Sequence, residues 1–417
     1  MKKDNLSKRS NSYLYLLLLM VSDIWLTLYL LFFSRFIQVF RTAGWIKRFF
    51  SPFFMEQYIW GDFYGPIQNS ATLAPYVPKY GNSPPLLALI SYFFAKLQEN
   101  GIGWEMVYLF LRLCFSFFIF YSIRQSAVNY NVKKSHGLMT ALLTLVSFPF
   151  IYCFDRGNYV FLVAGLVAAA YLAHQKDHSY FSAVLIGIAA ALKLYPAVFG
   201  VMFLAKKEWK QAVVCAFTGV VISVIPLFFF EGGFVENLKL FIQKTLSYAE
   251  AGNGKLEWLY DDKNSFYQLL LVPKMLGKHP ITSVSELSDY LASFRIIVTC
   301  FFATIVLISI WLKDDATRFL LLSATLLGYP IESGVYNQVL VLFPLANWCF
   351  AHKQKGNKAV VLAGVGLITM KNFISISTAY KITPQAILNP VFELVIILML
   401  LYSEKDTLLH LRIKNLL

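Results

Sequence analysis

Long apolar runs alternate with short polar turns along almost the whole chain. One bilayer crossing takes about 20 apolar residues, so the number of runs predicts about ten to twelve membrane spans. Because backbone polar groups in lipid must bond within their own segment, each span is expected to be a helix. The predicted fold is therefore all-α, a polytopic transmembrane helical bundle that forms one integral membrane domain over residues 1–417.

Basic residues predict the direction of each span, because short cytoplasmic turns carry an excess of Lys and Arg. The first span, Tyr13 to Phe33, follows a basic N-terminus and is expected to be retained, with both chain termini in the cytoplasm. Further spans are expected near residues 104–123, 137–153, 159–173, 211–230 and 294–312, followed by four more.

Two long segments, residues 34–103 and 231–293, are expected as extracytoplasmic loops. The first contains the apolar stretch Pro84 to Leu97, which is too short to span and is predicted as a helix at the outer interface. Residues 180–205 are interpreted as a short hairpin that turns near Lys193, because the basic turn after them is expected in the cytoplasm.

Composition excludes a water-soluble enzyme, since 58% of the residues are apolar and 14% are charged. A net charge of +14 would suggest nucleic acid binding in a soluble protein, but here Lys and Arg cluster in the turns between apolar runs. The lipid bilayer is the expected partner, and nucleic acid is not. The five cysteines show no metal-ligand spacing and are predicted to be small core residues.

Asp62 is the main candidate for catalysis, because it lies among aromatic residues in the first outer loop. A carboxylate in such surroundings is suited to act as a general base towards a hydroxyl. The alternative from spacing alone is a solvated loop residue or a turn former.

Three cations near the predicted outer side are candidates for binding an anionic group: Lys193, Arg156 and Lys79. Lys193 lies within an apolar sequence, where a cation needs an anionic partner such as a lipid phosphate. Its alternative role, like that of Lys79, is a snorkelling side chain at the interface. Arg156 and Asp155 are also compatible with a self-neutralising turn.

Further polar residues at helix ends suggest the lining of a cavity rather than contact with lipid. Asp23 within the first span is expected to face the bundle interior, with no role assigned. The candidate cavity-lining residues are Tyr64, Tyr80, Asp155, Asn158, Asn264, Glu332, Tyr336, Asn337 and Gln338.

The order of these motifs resembles glycosyltransferase family 87, whose members are polyprenol-phosphate-sugar-dependent enzymes of the GT-C superfamily. The most specific block runs from Gly157 to Lys210 and is similar to the family's G-x-N turn, G-x-A-x-x-x-K-x-x-P hairpin and basic turn. In this chain the motif residues are Gly157, Asn158, Gly187, Ala189, Lys193, Pro196 and the segment 206–210. The family's histidine pair is absent at Tyr336 and Asn337, which leaves the donor sugar open.

The resemblance implies a membrane hexosyltransferase with its active site on the extracytoplasmic face of the cell membrane. The donor would be a polyprenyl-phosphate sugar, with mannose the family's commonest sugar and glucose or galactose open. The acceptor would be a glycolipid or a cell-envelope polysaccharide. By analogy Asp62 is the base, and nearby cations hold the donor phosphate. Since a single phosphate leaves, inversion without a metal or any cofactor is expected.

A transporter or flippase for a lipid-linked saccharide is the alternative function. It predicts ionisable residues through the membrane depth and at both faces. The candidates in this chain are expected mainly at the outer face, and no internal repeat typical of many transporters is evident. Both features favour the transferase.

Overall fold

The structure is a computed structural model that describes residues 11–32, 60–77, 83–251, 263–277, 279–331, 333–352, 357–371, 382–406 and 408. Within these ranges every regular element is a helix, which confirms the all-α prediction. One isolated backbone bridge joins Lys263 to Gly334.

The helices of the described residues are numbered here in chain order, with three short 3₁₀ segments between them in those same ranges. The α-helices are α1 (Asn11–Phe32), α2 (Gly61–Asn69), α3 (Pro85–Glu99), α4 (Trp104–Asn129), α5 (Lys134–Val146), α6 (Phe148–Arg156), α7 (Val160–Gln175), α8 (Ser179–Leu192), α9 (Val201–Ala205), α10 (Trp209–Val224), α11 (Gly233–Ala251), α12 (Gln268–Leu276), α13 (Val284–Trp311), α14 (Asp315–Gly328), α15 (Val339–Ala351), α16 (Lys358–Ile368) and α17 (Pro384–Ser403). The 3₁₀ segments are Tyr195–Gly200, Ile225–Phe228 and Val335–Gln338.

Six helical segments among the described residues are long and apolar enough to cross a membrane. They are α1, α4, α5 continued by α6, α10 with its 3₁₀ extension, α13 and α17. Five shorter apolar helical segments lie between them: Val160–Gln175, Ser179–Leu192, Tyr195–Ala205, Val335–Ala351 and Lys358–Ile368. The chain is a multi-pass membrane protein, and the count of ten to twelve spans stays a prediction.

Helix breaks occur where the sequence predicts them. α8 ends at Leu192, and Lys193 has extended backbone angles before the 3₁₀ segment that contains Pro196. The predicted interfacial stretch is helical as α3, which begins with Pro85 at its first position.

The start of α13 differs from its prediction. α13 begins at Val284, ten residues before the predicted span start at 294, inside the segment expected as a loop. The reason is a helix cap, in which the Ser283 hydroxyl accepts a bond from the Glu286 amide and the Glu286 carboxylate accepts one from the amide of Thr282, the residue before the cap. The capped, polar first turns extend the helix beyond its apolar part.

The chain divides into two compact units, of which the second comprises residues 43–118 and 152–255. In this unit α8 packs against α7 and α10, and α3 packs against α8. The crossing of α8 and α10 is close at Gly187, where an added Cβ would lie 2.7 Å from Cβ of Thr218 and 2.8 Å from the carbonyl oxygen of Cys215. This contact fixes the helix that ends beside Lys193.

The first unit comprises residues 1–42, 119–151 and 256–417. α1 packs against α5, α15 and α16, while α17 packs against α12, α14 and α16. Asp23 is buried in α1, as predicted from its position in a span. Its surroundings assign it no role.

Candidate functional site

The candidate site begins at the N-terminus of α2, which the fold holds by aromatic packing. Trp60 is buried, with its ring centroid 5.0 Å from that of Tyr108 and 5.8 Å from that of Trp104. Phe63, one turn along, stacks on Tyr159 at 5.1 Å. Asp62 lies between these two anchors in the first helical turn, where the helix dipole favours a negative charge.

The turn between α6 and α7 packs directly against this N-terminus. The Trp60 amide donates to the carbonyl of Asp155 at 3.0 Å. Gly157 has a φ of +74°, and an added Cβ would lie 2.8 Å from Cα of Trp60. Only glycine fits this left-handed, close-packed position without strain. The turn therefore brings Arg156 and Asn158 to Asp62.

Asp62 accepts two hydrogen bonds, both at the same carboxylate oxygen. The Nε of Arg156 lies 2.6 Å and the Nδ2 of Asn158 lies 2.7 Å from Oδ2 of Asp62. The side chains of Asp62 and Arg156 are 30% and 37% exposed, so the pair borders open space. Two donors on one oxygen hold the carboxylate in a single orientation.

Lys193 joins the same group through Asn158. Its Nζ lies 2.9 Å from Oδ1 of Asn158 and 6.0 Å from the centroid of the Tyr195 ring. Burial lowers the pKa of Lys193 to about 8, and attraction from Asp62 opposes that shift. The cluster thus places two cationic side chains, Arg156 and Lys193, beside one carboxylate.

Asp155 lies at the end of α6, where the same turn between α6 and α7 begins. Its side chain is fully buried and interacts electrostatically with Arg112, whose guanidinium lies 4.9 Å from the centroid of the Phe154 ring. The Tyr108 hydroxyl donates to the Phe154 carbonyl in the same layer. Asp155 therefore has a structural role in the turn, through its interaction with Arg112. The sequence signal for its partner was an arginine in the middle of a span.

Tyr64 lines a groove between α2 and α3. The groove has a volume of about 540 Å³, and Gln68, Gln98 and Glu99 also border it. Tyr64 stacks on Trp104 with ring centroids 4.8 Å apart. Asp62 does not line this groove.

The remaining described candidates lie in the first unit, where Asn264 is the centre of a buried group. Its Oδ1 accepts from Nε2 of Gln338 and from Nδ2 of Asn389, both at 3.0 Å, and its Nδ2 donates to the Gly334 carbonyl at 2.8 Å. Asn337 donates to Ser333 Oγ at 3.3 Å, and the Tyr336 ring packs on Gly334.

Asn389 was missed by the sequence analysis. It belongs to a fully buried polar series on α17, Gln385, Asn389 and Glu393, whose spacing of four residues marks one helix face. That spacing within a span was the available signal. Lys79, Tyr80 and Glu332 lie outside the described residues.

Metal ligands show no clustering in the part of the chain that the structure describes. No group of three His, Cys, Asp or Glu side chains there could hold a metal ion. The arrangement around Asp62 offers a fixed carboxylate, which can accept a proton, and two cations, which can bind an anionic group.

The chain matches a protein-family model, and no curated protein matches it. The model of glycosyltransferase family 87 matches residues 83–331, more than half of the sequence. The matched region contains Arg156, Asn158 and Lys193, and Asp62 precedes it. The chain therefore belongs to glycosyltransferase family 87.

Proposed function

We propose that the protein transfers a hexose from a polyprenyl-phosphate sugar to a hydroxyl of a glycolipid or cell-envelope polysaccharide. Mannose is the first candidate sugar, and glucose and galactose are the next. Family membership establishes a glycosyltransferase. The observation that carries the finer proposal is the cluster in which Asp62 binds Arg156 and Asn158, with Lys193 bonded to the same asparagine.

The donor phosphate is proposed to bind Lys193 and Arg156, because these two cations lie together at a site where the Arg156 side chain is 37% exposed. A polyprenyl-phosphate sugar is a phosphodiester with one negative charge, which Lys and Arg side chains bind through charge-assisted hydrogen bonds. Lys79 is proposed as a third cation. Charge that develops on the leaving phosphate is then stabilised by groups already in position.

Asp62 is proposed as the base that takes the proton of the acceptor hydroxyl. The hydroxyl oxygen attacks the anomeric carbon from the side opposite the phosphate, so the configuration inverts. Because the leaving group is a single phosphate that protein cations pair with, the reaction is proposed to proceed without a metal or another cofactor.

The active site is proposed to open on the extracytoplasmic face, since polyprenyl-linked sugars present their head group at a membrane surface. Tyr64 and Tyr80 in the second unit are proposed as cavity-lining residues, and so are Glu332 and Tyr336 in the first unit, each within its own unit. A structural role, stabilising the turn at 333–338, is proposed for the buried residues Asn264, Asn337 and Gln338. Both termini are proposed to be cytoplasmic.

Purified protein in nanodiscs, supplied with a panel of polyprenyl-phosphate hexoses and a crude cell-envelope acceptor, tests the proposal. We expect release of polyprenyl phosphate from one donor and a product with the opposite anomeric configuration by NMR. Retained configuration would refute the mechanism. Movement of intact donor between leaflets of proteoliposomes, without release of polyprenyl phosphate, would instead indicate the flippase.

A further inference from the structure

The amide of Asn158 has a fixed orientation. Its Oδ1 accepts from Nζ of Lys193 at 2.9 Å and from the backbone amide of Val160 at 3.1 Å. Both partners are donors, so the oxygen end of the amide must face them. The Nδ2 end is consequently turned to Asp62, 2.7 Å from Oδ2.

This orientation makes the two oxygens of Asp62 different. Oδ2 accepts from both Arg156 and Asn158, whereas none of the described residues donates a hydrogen bond to Oδ1. Oδ1 therefore keeps its lone pairs for a ligand, on a side chain that is 30% exposed. A carboxylate bound in this way presents a defined oxygen to a substrate hydroxyl.

Resting on the proposed function, we propose that Asn158 is a positioning residue that fixes Oδ1 of Asp62 as the atom that receives the acceptor's proton. As the acceptor oxygen bonds to the anomeric carbon, its proton passes to Oδ1 of Asp62. The bond between the anomeric carbon and the phosphate oxygen breaks, and its electron pair leaves with the polyprenyl phosphate.

Asn158 also connects the two halves of the reaction. One amide end binds Asp62, which meets the acceptor, and the other binds Lys193, which meets the donor phosphate. A planar amide separates these two groups by a constant distance, so the base and the phosphate-binding cation are held in register. Loss of such alignment lowers the rate about a hundredfold.

Two substitutions test this role through the pH profile of donor turnover. Asn158→Ala removes the bond to Asp62 and should lower kcat about a hundredfold. Asn158→Asp places a second carboxylate beside Asp62. Because a carboxylate that faces another one keeps its proton at higher pH, the acidic limb of activity should move up by about one pH unit or more.

Asn237 provides the matched control. It is a buried asparagine of the same unit, and its Nδ2 donates to the carbonyls of Phe230, Glu231 and Gly233. Asn237→Ala and Asn237→Asp should lower the unfolding midpoint but leave the acidic limb at its wild-type pH. If Asn158→Asp keeps the kcat of the wild type and its acidic limb stays at the wild-type pH, the inference is overturned.

A stability cycle keeps the test informative where a variant is inactive. The shifts in unfolding midpoint caused by Asp62→Asn and Lys193→Met should be non-additive in the wild type and less so in the Asn158→Ala background, where only the direct attraction between the two charges remains. Equal coupling in both backgrounds would show that Asn158 does not link Asp62 to Lys193. If Asp62 and Lys193 are coupled in stability but no donor in the panel is turned over, the proposed function is overturned. If donor turnover is the same in the Asn158 variants as in the wild type, only this inference is overturned.

Discussion

At the scale of single residues, Gly157 determines whether the site can form, because its left-handed backbone meets Trp60 directly. Gly157→Ala is expected to cost about 1–3 kcal/mol from backbone conformation alone. The displaced turn should also separate Arg156 and Asn158 from Asp62. We expect a lower unfolding midpoint and loss of donor turnover.

Gly61 supplies the control for this prediction. A Cβ added there meets no atom within 4 Å, although the residue is the immediate neighbour of Asp62. Gly61→Ala should keep the unfolding midpoint and turnover of the wild type. If Gly157→Ala behaves as Gly61→Ala does, the packing of the turn on Trp60 is not what holds the site.

Lys193 predicts a pH dependence of donor binding. Burial lowers the pKa of Lys193 to about 8, so the side chain is charged below that pH and neutral above it. The phosphodiester keeps its charge throughout this range. Affinity for a short-chain polyprenyl-phosphate mannose should therefore fall about tenfold between pH 7 and pH 9.

Lys193→Met separates this effect from other titrations. The variant should bind the same probe weakly at both pH values, measured by displacement in nanodiscs. An affinity that falls equally between pH 7 and pH 9 in wild type and variant would assign the pH dependence to another group.

At the scale of elements, the crossing of α8 and α10 positions Lys193 at the end of α8. Gly187→Ala places a methyl group 2.7 Å from Cβ of Thr218, and overpacking of this kind costs about 1–3 kcal/mol. The shifted end of α8 should raise the KM for donor about tenfold, with a smaller effect on kcat.

Gly219 lies at the same crossing on the partner helix and has more room. A Cβ there would meet its nearest neighbour at 3.5 Å, an ordinary contact. Gly219→Ala should leave the donor KM near that of the wild type. Equal effects of the two substitutions would mean that the close approach at Gly187 does not determine the place of Lys193.

Much of the element order could be predicted from the sequence, because apolar run length and the positions of Pro and Lys act locally. The break near Lys193 and the helix after Pro84 follow from such signals. The early start of α13 was missed because the prediction relied on apolar length, whereas the helix begins at a Ser283 cap in polar sequence.

The pairings within the site could not be predicted from local signals. Asp62 meets Arg156 and Asn158 across 94 and 96 positions in the sequence, and only tertiary packing brings them together. The motif residues Asn158 and Lys193 could be selected in advance, but their bond to each other could not. Asp155, placed in the cavity from its position alone, proved to be a buried partner of Arg112.

At the scale of the whole molecule, the proposed topology predicts which segments water-soluble reagents reach from each side. Gln98 at the end of α3 and Asp177 in the turn after α7 are both exposed. A membrane-impermeant thiol reagent should label Gln98→Cys in intact cells and Asp177→Cys only after permeabilisation. The native Cys114 and Cys300 are exposed and should be replaced beforehand.

The opposite labelling pattern would invert the proposed orientation and move the active site to the cytoplasmic face. Labelling of both positions in intact cells would contradict the separation of α3 and that turn by a bilayer. The hydrogen bonds that Arg156 and Asn158 donate to Asp62 are the same in either orientation.

The role of Asp62 as the base is tested most directly by comparing Asp62→Asn with Asp177→Asn in donor turnover. Asp177 is an exposed aspartate of the same unit with a φ of +61°, a conformation that asparagine tolerates. Asp62→Asn should lower kcat about a thousandfold while binding of polyprenyl-phosphate hexose survives, and Asp177→Asn should match the wild type. Full turnover by Asp62→Asn would show that the base lies elsewhere.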